Sequence, residues 1–179
     1  TLVLTFSAHP LSVLNPLKEP ARLATVEQKE EYIRSVGIDG LIMLPMTQEL
    51  LNQSPEDFCA CLIKYIAPSE IVVGTNFTYG KKAAGNTETL VQSMGDAHIP
   101  VRVLDLVEAP QSDYPVSSTV IRGLIAKGQM QEAMTLLGRP FELRAEVVSG
   151  DRRGRTIGFP TANMLIPPKA ALPPDGVYV

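Results

Sequence analysis

Up to Leu137 the chain alternates short apolar runs with capped helix signals, and after Phe141 that alternation stops. TLVLTF (1–6), GLIMLP (40–45), EIVVG (70–74) and VRVLDL (101–106) are short, apolar and rich in β-branched residues. Runs of this kind read as buried parallel strands. Between them lie helix starts. Thr25 and Gln28 form a capping box, and Gly37 suits the C-terminal end of the helix that follows. Ser54-Pro55-Glu56-Asp57 places an N-cap, a proline and two acids in order, ahead of a stripe at Phe58, Leu62 and Ile66. Asn86 or Thr87 opens a helix to about Met94, and Ser117 or Ser118 opens another to Ala126. A last helix runs from Gln129 to Leu137 and ends at Gly138. Strands alternating with helices predict an α/β fold with a mostly parallel sheet covered on both faces.

From Phe141 the pattern changes to FELRAEVVSG, which alternates apolar and polar residues as an antiparallel strand with one wet face does. Pro167-Pro168 and Pro173-Pro174 follow. A boundary near 137–140 therefore divides the chain into residues 1–137 and 138–179. Apolar residues make up 45% of the 179 and the net charge is −3, an ordinary globular balance without the basic surface of a nucleic-acid binder. No apolar run is long enough to span a membrane. Cys59 and Cys61, alone and in an apolar helical pattern, do not form a metal-ligand set or a disulfide framework. A cytosolic protein is the expectation. The apolar opening at Thr1 and the strand-like DGVYV at the end predict a segment of a longer chain.

In an open α/β sheet, ligands bind beyond the carboxyl ends of the strands. FSAHP (6–10) follows the first strand, and two readings stand for His9 there: a general acid or base, or a structural residue. In VVGTNFTYGKK (72–82), Phe77 and Tyr79 can stack on a flat ring while Asn76 bonds its edge, or one aromatic simply tucks inward. VSSTVIR (116–122) sets Ser117, Ser118 and Thr119 at a helix start with Arg122 one turn later, a phosphate grip that plain N-capping does not require. In GRTIGFPTAN (154–163), glycines and arginines can bring N–H groups and guanidinium forks to a polyphosphate. Thr161 and Asn163 add neutral oxygens of the kind that Mg²⁺ accepts beside phosphates. A β-hairpin turn is the plainer reading of this loop.

FSAHP, VVGTNFTYG, VSSTVIR and GRTIGFPTAN, in this order and spacing, resemble the bacterial bifunctional riboflavin kinase/FMN adenylyltransferase family, also called FAD synthetase. The resemblance covers essentially the whole chain, and GFPTAN is its most specific mark. It implies a Rossmann-like nucleotidyltransferase domain over 1–137 that transfers AMP from ATP to FMN, releasing pyrophosphate. It also implies the beginning of a β-barrel flavokinase domain over 138–179 that phosphorylates riboflavin with ATP and Mg²⁺. By position, Ser117, Ser118, Thr119 and Arg122 would hold ATP phosphates in the first domain. His9, Pro10, Asn76 and Phe77 would belong to its flavin side. Gly154, Gly158, Phe159 and Pro160 would shape the kinase's nucleotide loop, and Thr161 and Asn163 would ligate the magnesium.

The sequence departs from that pattern in places. Ala8 stands where the family often has the leading proline of Pro-His-Pro. The family's HxGH-type motif is absent, since His9 and His98 are the only histidines and lack its spacing. The carboxylate expected to deprotonate riboflavin would lie beyond Val179, so the catalytic residues themselves are expected outside this segment. The competing readings are a stand-alone nucleotidyltransferase of another substrate class and a non-catalytic flavin- or nucleotide-binding module.

Overall fold

The computed structural model describes residues 1–109, 111–150, 158 and 161–178. The chain divides into two compact units: Thr1–Thr5, Glu19–Met43 and Ala109–Val179 form one, and Phe6–Lys18 with Leu44–Glu108 form the other.

In the first unit, β1 (Leu2–Phe6) pairs with β2 (Gly40–Leu44), and the N–H of Gly40 donates to the Thr1 carbonyl at 3.1 Å. Helix α2 (Val26–Ser35) starts at the predicted capping box, with Thr25 Oγ1 accepting from the Gln28 N–H and Gln28 Oε1 from the Thr25 N–H. Gly37 follows it with φ of 81°. Helices α6 (Ser118–Ala126) and α7 (Met130–Leu137) bring Ile121, Leu124, Ile125, Ala133 and Leu136 into one core, which Ala171 completes. The spacing of these residues is the helical one, three to four apart, so each helix turns a single stripe inward. Gly138 closes α7 in the left-handed region, as its sequence position predicts.

Strands β5 (Glu146–Val148) and β6 (Asn163–Leu165) are antiparallel, with Val147 opposite Met164. The strand predicted from Phe141 begins only at Glu146. Ahead of it, the Glu142 carbonyl accepts from Gln28 Nε2 at 3.2 Å, a bond that takes its place in a ladder. Among the described residues this region forms a two-stranded pair.

In the second unit, β3 (Ile71–Gly74) pairs parallel with β4 (Val101–Leu104), in register Ile71↔Val101 through Gly74↔Leu104. The end of β1 reaches this unit, where the Ser7 N–H donates to the Leu44 carbonyl at 2.9 Å. Short helices α1 (Leu11–Leu14) and α3 (Gln48–Asn52) precede α4 (Pro55–Cys61). Thr47 caps α3 and Ser54 caps α4, while α5 (Thr87–Gly95) starts at Asn86, whose side chain accepts from the Thr89 N–H.

Two expectations need correction. The stripe at Phe58, Leu62 and Ile66 is buried only at Phe58, with Cys59 buried beside it. The chain winds as a π-helix over Leu62–Ile66, which breaks the α-helical period on which the stripe depended. Among the described residues, β3 and β4 run parallel as expected, but the pair is not covered on both faces. The described strands form separate pairs, and Val72 and Leu104 are 52% and 49% exposed.

Candidate functional site

Helix α6 is fixed from inside. Ile121, Leu124 and Ile125 are buried, so the helix cannot roll, and Ser118 and Thr119 are held at the surface of its first turn. Ser117 is the N-cap, in extended conformation, with Oγ accepting from the Val120 N–H at 3.2 Å. A first turn leaves N–H groups without intrahelical partners at the positive end of the helix dipole. Ser118 and Thr119 add two exposed hydroxyl side chains on the same turn.

Arg122 is half-buried, and its Nε–H donates to the Ala21 carbonyl at 2.6 Å. Partial burial lowers its pKa from the usual guanidinium value, but the group stays charged at neutral pH. With Nε engaged on Ala21, the terminal nitrogens are the part of the fork that a phosphate can meet. The four residues expected to grip phosphate thus stand on one helix end, and the carbonyl that orients the arginine was not legible in the sequence. A backbone oxygen carries no residue-type signal.

In the second unit, His9 and Pro10 follow β1, and both are exposed. His9 Nδ1 accepts from the Leu11 N–H at 3.1 Å, which directs Nε2 to carry the proton in the neutral ring. Asn76 and Phe77 follow β3 directly. Of the two aromatics, Tyr79 is the one tucked inward: it is 6% exposed, 5.2 Å from the Phe58 ring, with its hydroxyl at Thr89 Oγ1 (3.2 Å). Phe77 lies stacked on Tyr79, ring centroids 5.6 Å apart and 17° from parallel. Tyr79 is therefore a prop, and Phe77 is the aromatic left half-buried above it. Gly74 matters for a reason the sequence did not give, since a Cβ there would stand 3.2 Å from Asn76 Oδ1.

Gly154, Phe159 and Pro160 lie outside the described residues. Gly158 has φ of 82°, a conformation that favours glycine. Thr161 and Asn163 are exposed, and Asn163 is the first residue of β6, paired with Val148. Gly150 packs against the Asn163 amide so closely that a Cβ at 150 would stand 2.8 Å from Asn163 Cγ and overlap its nitrogen. Only a residue without a side chain leaves room at position 150 for the Asn163 amide. Among the described residues no group of three or more His, Cys, Asp or Glu side chains could hold a metal.

Residues beyond the predicted set join α2 to the start of the C-terminal segment. Tyr32 donates to Glu142 Oε2 at 3.3 Å, and the Arg139 guanidinium sits 3.5 Å from the Tyr32 ring centroid. Arg144 pairs with Glu31 and Glu142. Long-range pairs of this kind have no local sequence signature.

Two family models match the chain in tandem: FAD synthetase over residues 1–120 and riboflavin kinase over residues 137–179. Among curated relatives, the bifunctional riboflavin kinase/FMN adenylyltransferase of Listeria monocytogenes is 35% identical over 99% of this chain. The protein of the same name from Bacillus subtilis is 36% identical over 98%, and that from Escherichia coli K12 is 30% identical over 99%. The chain spans about half the length of these relatives, 56%, 55% and 56% in turn. A crystal structure of a macrolide-efflux protein from Streptococcus pneumoniae is similar too, with a TM-score of 0.77 and 29% identity over 99% of this chain and 57% of that one. No helix among the described residues is long and apolar enough to cross a membrane.

Proposed function

We propose, given that the chain belongs to the FAD synthetase family, that it serves FAD synthesis in two ATP-dependent steps. Residues 1–137 belong to a Rossmann-like adenylyltransferase domain and residues 138–179 to the start of a β-barrel riboflavin kinase. The tandem match of both family models on one chain is the observation that carries this reading.

In the adenylyl step, a phosphate oxygen of FMN attacks the α-phosphorus of ATP, and the bond to pyrophosphate breaks. Charge grows on the departing phosphates. The hydroxyls of Ser118 and Thr119, the open N–H groups of α6 and the Arg122 fork are suited to meet it, while Ser117 fixes where the helix begins. Phe77, propped on Tyr79, offers a face for the flavin ring, with Asn76, His9 and Pro10 on the same side of the reaction.

In the kinase step, a riboflavin hydroxyl attacks the γ-phosphorus of ATP and ADP leaves. Gly154, Gly158, Phe159 and Pro160 would shape the nucleotide loop in this reading, and Thr161 and Asn163 would hold Mg²⁺. The metal neutralises phosphate charge when bound, and the protein's task is to present its two oxygens where the phosphates arrive. The partners are small molecules: ATP, riboflavin and FMN, drawn from the cytoplasm.

The test is a product assay. The natural-length protein, incubated with riboflavin, ATP and Mg²⁺, should yield FMN first and then FAD with pyrophosphate. Recovery of unchanged riboflavin, together with failure to convert supplied FMN, would leave only a non-catalytic binding module.

A further inference from the structure

Arg122 is oriented by a carbonyl, and that carbonyl belongs to a strand-like segment with its own support. Ala21 O accepts the Arg122 Nε–H at 2.6 Å. The next residue, Arg22, is bound on both sides of its peptide to the C-terminal segment. Its N–H donates to the Lys169 carbonyl at 2.6 Å, and its carbonyl accepts from the Ala171 N–H at 2.8 Å, forming a parallel bridge with Ala170. Ala171 is also a core residue, 3% exposed and clustered with Ile121, Leu124 and Ile125 of the helix that carries Arg122. Lys169 holds the turn into this bridge at φ of 63°, in the left-handed region.

Ala21 and Arg22 lie in the span matched by the FAD synthetase model, whereas Lys169 to Ala171 lie in the span matched by the riboflavin kinase model. We propose that the 169–171 segment of the kinase span positions the adenylyl site, by clamping the Arg22 peptide so that the Ala21 carbonyl aims the Arg122 guanidinium. Arg22 and Ala171 are positioning residues here, and neither meets substrate. The inference rests on the reading of Arg122 as a phosphate-gripping residue. Its physical basis is that an arginine fork must be placed to within a fraction of an ångström to stabilise a transferring phosphoryl group. A long side chain does not hold that placement unaided, because ordering it costs rotamer entropy.

The experiment is a double-mutant cycle on adenylylation of supplied FMN by the natural-length protein. Ala171→Pro removes one donor of the clamp, and Arg22→Pro removes the other. Each folded variant should lose roughly tenfold to a hundredfold in kcat, with KM for FMN little changed. The decisive arm is the background. Combined with Arg122→Ala, either proline should cost nothing further, because the clamp acts through that side chain. Additive losses would overturn the inference while leaving the phosphate-gripping role standing. If Arg122→Ala alone were without effect, the parent reading of α6 would fail instead. Wild-type protein supplies a measurement that needs no variant to fold. Saturating ATP should slow hydrogen exchange at the Arg22 and Ala171 amides, since coupling between site and clamp is reciprocal. Unchanged exchange at both would refute the clamp.

Discussion

Gly85 lies flat against the ring of Tyr79, and a Cβ at position 85 would stand 2.6 to 2.8 Å from the ring carbons. The same two residues exchange backbone hydrogen bonds, Tyr79 N–H to Gly85 O at 3.0 Å and Gly85 N–H to Tyr79 O at 2.9 Å. Neither the backbone nor the ring can retreat without losing something else, because the ring also packs against Phe58 and Phe77.

Gly85→Ala should therefore destabilise the protein by about 1–3 kcal/mol, the usual cost of overpacking a tight site. If Phe77 is the flavin platform, displacing its prop should also raise KM for FMN in adenylylation. Thermal unfolding and steady-state kinetics on the same preparation check both. A variant as stable as wild type would mean the ring can shift aside, and the prop would lose its importance.

Arg122→Ala should lower FAD formation from FMN on the order of 10²-fold while riboflavin phosphorylation stays close to wild type. The side chain also donates to Ala21, so some stability should be lost with it. Comparable losses of both activities would mark Arg122 as a folding residue.

The junction of α2 with the C-terminal segment should carry a pH signature. The Arg144 side chain, hydrogen-bonded to Glu142, is the main cause holding that carboxyl below its ordinary value, with the Tyr32 hydroxyl adding to it. A depressed folded-state pKa stabilises above the unfolded pKa, roughly 4.3 for a glutamate, and the contribution is lost as pH falls through the lower folded value. Urea midpoints of wild type and Glu142→Gln should differ at pH 7 and converge only as pH falls below the ordinary glutamate value and through the lower folded one. A gap that persists to lower pH would show that the substitution acts through packing and not through charge.

Much of the fold was legible because it is written in caps and periods. Thr25, Ser54, Asn86 and Ser117 each cap the helix expected of them, and Gly37 and Gly138 take the left-handed backbone expected of a helix end. What failed was extrapolation of an α-helical period through Leu62–Ile66, where the chain widens to a π turn that no single residue announces. Helices α1 and α3 were too short to give a period at all. In the candidate site, the hydroxyls, arginine and aromatics were visible as residue types. The Ala21 carbonyl, the close approach of Gly74 to Asn76 and of Gly150 to Asn163, and the Ala171 bond to Arg22 were not, because they act through backbone atoms or through the lack of a side chain. Such roles become evident only when distant segments meet.

Asn163 and Gly150 give the most direct test of the kinase loop. Thr161 and Asn163 offer neutral oxygens only, so Mg²⁺ should bind appreciably only when ATP phosphates are present. Asn163→Ala removes one oxygen and should depress FMN production and shift its Mg²⁺ dependence upward, while leaving adenylylation of supplied FMN nearly intact. If Asn163 merely finishes a turn before β6, the same substitution would cost about 1 kcal/mol of stability and little activity. Gly150→Ala separates these cases further. It leaves both oxygens in the chain but forces the Asn163 amide out of its cradle, since a Cβ there would overlap it. Under the metal-holding reading, Gly150→Ala should reproduce the Mg²⁺ shift of Asn163→Ala, and the two substitutions together should be little worse than either alone. Kinase rates across a Mg²⁺ series decide the matter, and an unchanged Mg²⁺ dependence in both folded variants would remove Asn163 from the metal site.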